Sequence, residues 1–208
     1  MRNLIDYIYG VERDVVSYGT ADFAMYAYGL IKMIKPANVV EFGTGLGVTA
    51  FMAAQACKDN DFGHVTSIDD GCQNVGIVED YFGTLDKKVS EFGLGDHITL
   101  LNKRLSSAED IVDAVGGLDD VGFVFNDFNS DPMVLSAIIS WLSSRVKSEC
   151  YFFTDRGYTY EPNRIATEQV VKEINESLSP LKASCLFVKK QTLSDQDSFS
   201  LIKLEITR

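Results

Sequence analysis

Three glycines, Gly43, Gly45 and Gly47, follow an apolar run that ends at Phe42, and an acidic pair, Asp69–Asp70, comes 26 residues after the first of them. Glycines between a buried strand and a helix let a ligand lie against bare backbone. The helix start adds free N–H groups and a positive dipole end. A carboxylate at the end of the following strand can accept both hydroxyls of a ribose. Strand, loop, helix and acid together point to an adenosine-containing cofactor. Asp69 is favoured over Asp70 as the ribose acid, because it stands directly at the strand end. The dinucleotide fingerprint wants its third glycine at the sixth position. Val48 stands there and the glycine comes one residue early, at Gly47, which suits a site with no pyrophosphate to hold.

Other acids extend the list. Glu41 lies inside an apolar strand, where a carboxylate must be hydrogen-bonded or paired. Ligand contact and bracing of the glycine loop are both open for it. Asp127 follows the apolar run Val121 to Phe125 and Asn126. It reads as a loop acid or helix cap, or as a group working at the strand ends, and its place in the chain favours the second. Asp155 and Arg156 form a local ion pair or grip a polar substrate. His64 and His97 both precede strands, on the side away from the expected site, so neither is chosen as a general base. Tyr7, Tyr9, Tyr18, Tyr26 and Tyr28 can line a substrate mouth or a subunit contact, with core packing the expected role for most. The segment GYTYEPN, 157–163, is long and aromatic enough to cover a substrate.

The elements that must hold these residues can be read from periodicity. Strands are expected at 39–42, 64–68, 98–101, 121–125 and 150–154. Helices are expected at 21–34, 48–57, 78–92, 107–115 and 165–178, with Ser106 as the cap of the fourth, and another opens at Asp131-Pro132. Two further strands, 184–188 and 199–206, have no helix between them and close the chain as a hairpin. Five strand–helix alternations give a parallel, doubly wound α/β sheet with helices on both faces, and the last two strands add an antiparallel edge. Ligands in such sheets bind beyond the carboxyl ends of the strands. That singles out the loops after Phe42, Ile68, Phe125 and Thr154.

With 208 residues, 46% of them hydrophobic and 24% charged, the chain suits one soluble domain, 1–208, with an N-terminal helical extension over about residues 1–35. A net charge of −11 argues against nucleic acid or an anionic membrane as the main partner. Cys57, Cys72, Cys150 and Cys185 are scattered with no C-x-x-C spacing, so a zinc site is not expected. Each reads as a small buried apolar residue in a reducing compartment. No early segment is long and apolar enough for a signal peptide or a membrane span, so a cytoplasmic protein is expected. The aromatic N-terminal helices can pair two subunits as a homodimer.

The segments VVEFGTGLGVTA, VTSIDD, VGFVFND and YFFTD, with the closing hairpin, resemble the class I S-adenosylmethionine-dependent methyltransferases. Within them the chain is similar to the small catechol O-methyltransferase-like group, from about residue 18 to the C-terminus. The resemblance implies a Rossmann-like sheet of seven strands, mostly parallel, with an antiparallel C-terminal strand inserted near the edge. It implies S-adenosylmethionine as cofactor, a small-molecule methyl acceptor and O-methylation. Residue by residue, it implies that Glu41, Gly43 and Gly45 line the methionine end and that Asp69 holds the ribose. Leu105 and Ser106 would lie near the adenine. Asp127 would sit beside the sulfonium and the transferred methyl group. With no obvious His for the task, Asp127 is also the candidate base or orienter, and Asp155 is the second candidate catalytic residue.

Metal-dependent members bind a divalent cation through acids matching Asp127 and Asp155 and an Asn after the second. Here that position is Arg156, and a guanidinium cannot ligate a cation. The usual His is also missing from the segment NDFNSD. Metal-independent chemistry is therefore expected, with no metal ligand assigned. Two rival readings stay open, a nicotinamide-dependent oxidoreductase of Rossmann type and a non-catalytic cofactor-binding module.

Overall fold

The computed structural model describes residues 1–14, 21–72, 78–127, 132–155, 160–177, 179–189 and 198–207. Among the described residues seven strands form one mixed sheet, in the spatial order 98–102, 64–69, 38–42, 121–126, 149–155, 198–206 and 181–189. Two compact units, Met1–Arg104 and Leu105–Arg208, divide the chain.

In the first unit, β1 (Asn38–Phe42), β2 (His64–Asp69) and β3 (Ile98–Asn102) run parallel, with Phe42 in register with Ile68 and Asp69 with Asn102. Four helices accompany them: α1 (Arg2–Asp14), α2 (Ala21–Ile34), α3 (Val48–Asn60) and α4 (Tyr81–Phe92). Helix α1 buries Leu4, Ile8 and Val11, the one face that a 3.6-residue period allows. Burial of each such side chain stabilises by about 1.5–3 kcal/mol. Helix α3 is buried continuously from Val48 to Cys57. Its alanines 50, 53, 54 and 56 keep its surface low, and it packs against both α2 and β2. Helix α4 starts three residues later than periodicity suggests. Asp80 is its cap and accepts the N–H of Gly83 at 3.1 Å. It ends at Gly93, whose φ of 64° turns the chain as expected.

The second unit holds α5 (Ala108–Val115), β4 (Val121–Asn126), α6 (Pro132–Ser143), β5 (Glu149–Asp155), α7 (Glu161–Glu176), β6 (Leu181–Lys189) and β7 (Ser198–Ile206). Strands β4 and β5 are parallel, while β7 lies between β5 and β6 and is antiparallel to both. The expected antiparallel edge is thus a single inserted strand, and β6 runs with the first five. Helix α7 begins at Glu161, so the last three residues of the segment read as a substrate cover are helical, and 157–159 lie outside the described residues. The cap of α5 is Ser107 rather than Ser106. Its hydroxyl accepts the Asp110 N–H at 3.2 Å, and the Asp110 carboxylate takes the Ser106 N–H at 2.8 Å. No helix among the described residues is long and apolar enough to cross a membrane.

Candidate functional site

The glycine loop leaves β1 with Gly43 still bonded to the neighbouring strand, through its N–H to the Ile68 carbonyl at 2.9 Å. Gly43, Gly45 and Gly47 all have positive φ, at 93°, 52° and 81°. At Gly47 the need is also steric, because a Cβ there would stand 2.5 Å from the Phe51 ring. Gly47 then serves as the N-terminal flank of α3, and its N–H closes a turn on the Thr44 carbonyl at 2.8 Å.

Asp69 closes the loop from the side. One carboxylate oxygen accepts the Gly45 N–H at 3.1 Å and the other accepts the Gly71 N–H at 2.7 Å. The carboxylate is half-buried, and each oxygen has a second lone pair for another donor. Asp70 turns elsewhere. It accepts the Cys72 N–H at 2.9 Å and stands 3.9 Å from the Arg104 guanidinium. The contacts with Cys72, more than Arg104, hold its carboxyl below the usual range. Of the acidic pair, Asp69 is the one that reaches the glycine loop.

Beneath the loop runs a buried polar chain. Glu41 is only 3% exposed and accepts the Ser67 hydroxyl. Ser67 lies 2.7 Å from the Thr44 hydroxyl. Ser67 has one hydrogen and gives it to Glu41, so Thr44 is the donor in the second bond. The Glu41 carboxylate thereby ties β1, β2 and the loop together, which is the bracing role left open by the sequence. Ser67 and Thr44 were not singled out from the sequence, because nothing in a strand pattern marks which hydroxyl meets a carboxylate.

In the second unit, Asn126 and Thr154 are in register on β4 and β5, and the Asn126 amide donates to the Thr154 hydroxyl at 2.9 Å. Both are buried. Each stands one residue before a candidate acid. Asp127 is exposed and Asp155 half-buried. Leu105 is buried, whereas Ser106 is exposed and engaged at the start of α5. Arg156, Tyr18 and the 128–131 part of NDFNSD lie outside the described residues. A cleft of about 1030 Å³ between α6 and α7 is lined by Met133, Ser140, Ile165, Val170, Ile174 and Leu181 among others. Glu161 and Pro162, from the segment read as a substrate cover, also line it, and none of the candidate cofactor or catalytic residues does.

The remaining sequence candidates scatter. His64 bonds Thr99 at 2.8 Å and His97 bonds the Gly63 carbonyl at 3.2 Å, both at the amino ends of strands. Tyr9 and Tyr26 are each 49% exposed, and Tyr28 donates to Asp59 at 2.7 Å at the surface, so core packing fails for all three. Tyr7 does pack, against Phe51 and Phe92. All four cysteines are free. Cys57 and Cys150 are buried as expected, Cys185 is half-buried and Cys72 is exposed.

The family model of the methyltransferase domain matches residues 40–155. No curated protein matches the sequence. Solved structures of similar fold include the O-methyltransferase TomG from Streptomyces achromogenes, involved in tomaymycin synthesis and solved with SAM. It has a TM-score of 0.68 and 12% identity over 99% of this chain and 90% of that one. An O-methyltransferase from Bacillus cereus, solved with SAH, has a TM-score of 0.67 and 14% identity over 98% of this chain and 90% of that one. A putative caffeoyl-CoA O-methyltransferase from Staphylococcus aureus has a TM-score of 0.65 and 13% identity over 97% and 91%. At such identities the likeness carries the fold alone.

Proposed function

The chain belongs to the methyltransferase-domain family and is an S-adenosylmethionine-dependent methyltransferase, and from that premise we propose that residues 1–208 act as one cytoplasmic domain that methylates an oxygen atom of a small molecule without a divalent metal. The observation that carries the donor side is Asp69, a carboxylate held by two glycine N–H groups with acceptor capacity to spare. Such a group fits a ribose diol, which offers two O–H donors. Glu41, Gly43 and Gly45 would line the methionine end, and Leu105 and Ser106 the adenine. Bound S-adenosylmethionine supplies a methyl group on a sulfonium, ready for in-line displacement. The protein's task is then chiefly alignment. Asp127 would orient the acceptor hydroxyl and take its proton, and Asp155 would grip the acceptor.

The acceptor class rests on charge and analogy. A net charge of −11 disfavours nucleic acid, and TomG and the Bacillus cereus enzyme are O-methyltransferases. Metal independence rests on Arg156, which follows Asp155 where a neutral amide would be needed to complete a cation site. Self-association through the N-terminal helices is supported by Tyr9 on α1 and by Met25, Tyr26 and Met33 on α2, all exposed. The test is a turnover assay over phenolic, catecholic and sugar-hydroxyl acceptors, run in EDTA and in magnesium. Equal transfer in both is expected. Activity restored only by magnesium would overturn the metal-free reading. Donor binding with transfer to none of these hydroxyls would overturn O-methylation of this acceptor class.

A further inference from the structure

Two consecutive carbonyls of the glycine loop are each held by a tyrosine hydroxyl. Tyr81, the first residue of α4, donates to the Gly45 carbonyl at 2.6 Å. Tyr7, on α1, donates to the Leu46 carbonyl at 2.7 Å. The Tyr81 ring also backs a glycine, and the Tyr7 ring backs a ring that does. A Cβ on Gly71, whose φ is +70°, would stand 2.7 Å from the Tyr81 ring. The Tyr7 ring packs on Phe51 with centroids 6.0 Å apart, and Phe51 is the ring that fills the space beside Gly47.

The consequence for Asp69 is specific. Its two backbone donors are Gly45 and Gly71, and Tyr81 touches both, the first through its hydroxyl and the second through its ring. Tyr81 thus lies against both residues whose N–H groups aim the carboxylate. Tyr7 fixes the next peptide and ties it to α1, whose Leu4, Ile8 and Val11 anchor the helix. Tyr81 is buried. Burial, with Glu91 second, pushes the Tyr7 phenol up to about 12, so it stays a donor through the physiological range.

We infer that Tyr81 and Tyr7 are positioning residues for the methyl donor: their hydroxyls strap the Gly45 and Leu46 carbonyls and so hold the Asp69 carboxylate in the orientation that receives the ribose. This rests on the proposed donor site, and it adds two elements, α1 and α4, to the machinery that shapes it. Neither tyrosine need touch the donor.

The test uses the full chain with Tyr81→Phe and Tyr7→Phe, which keep the rings and remove only the hydroxyls. Amide hydrogen exchange at Gly45, Gly47 and Gly71 reads the strap without ligand. Titration with S-adenosylhomocysteine and donor kinetics read its effect on the site. Faster exchange is expected in Tyr81→Phe, with the dissociation constant raised about fivefold, as loss of one ordinary hydrogen bond would give. The donor KM should rise by more than kcat falls, and Tyr7→Phe should show the same pattern more weakly. A lower melting temperature in both variants, with affinity within twofold of wild type, would reduce the straps to fold stability and overturn the inference. Failure of the wild-type protein to bind S-adenosylhomocysteine would instead sink the donor reading, and exchange at the loop would still decide whether the tyrosines hold it.

Discussion

The carboxyl ends of β1 and β2 differ from those of β4 and β5 in how their polar groups are engaged. At β1 and β2 the loop's polar groups are taken up by Asp69, Tyr81, Tyr7 and the Glu41–Ser67–Thr44 chain. At β4 and β5 the buried pair Asn126 and Thr154 joins the strands, and of the acids beyond it Asp127 is exposed while Asp155, like Asp69, is half-buried. The first arrangement is organised before any ligand arrives, so its binding groups lose little freedom on binding. The second sets one acid, Asp127, at the surface in contact with water. A site that always receives the same donor can be built the first way. A site that must discriminate among acceptors draws its specificity from the second kind of region and from the loops that follow it.

Substitutions can be aimed at this contrast. Gly47→Val should be the most damaging, because it puts a β-branched residue at a φ of 81° and drives a Cβ into Phe51. A loss of about 3 kcal/mol or more is expected, read as a melting temperature lower by roughly 6–12 °C. Retention of the wild-type melting temperature would mean that the loop relaxes freely. Asp127→Asn should leave S-adenosylhomocysteine affinity within about twofold while kcat falls by about 100-fold, the low end of general-base catalysis. A parallel loss of affinity would place Asp127 with the donor alone. Thr154→Val removes the buried acceptor of the Asn126 amide and should cost about 1–3 kcal/mol in chemical denaturation, with donor affinity unchanged.

The smallest effect is a pH dependence. Tyr7 is raised from 10.0 to about 12 in the folded protein. Between those values the unfolded chain has lost the phenolic proton and the folded one has kept it, so stability falls as pH rises through that window. The melting-temperature difference between wild type and Tyr7→Phe should be constant below about pH 9 and narrow from pH 10 to 12. A constant difference across the whole range would show that Tyr7 ionises as freely folded as unfolded.

The same contrast explains what could be read without coordinates. Helix 21–34 announced itself by apolar spacing and Pro36, and the strands by short apolar runs between turn residues. The cofactor loop was legible because its glycines and Asp69 lie in one local strand–loop–helix–strand unit. Details that depend on how elements approach one another were not. Tyr7 and Tyr81 find loop carbonyls 39 and 36 residues away in sequence, and a tyrosine's sequence neighbours say nothing about its hydroxyl's partner. The Ser107 cap did carry a local signal, an acid three residues on at Asp110, which the choice of Ser106 overlooked. Similarly, Asp80 before Tyr81 marked the start of α4. Exposure of Tyr9 and Tyr26 went against their apolar rings, because α1 and α2 turn those positions outward.

Calorimetric titration of S-adenosylhomocysteine into the wild-type protein and into Asp69→Ala, each in EDTA and in magnesium, decides whether this loop is the donor site. Micromolar binding to wild type, indifferent to magnesium and weakened more than about tenfold by the substitution, is the predicted result, the loss being about 1.4 kcal/mol or more. Equal affinity of the two proteins would remove Asp69 from the site and contradict the reading built on it.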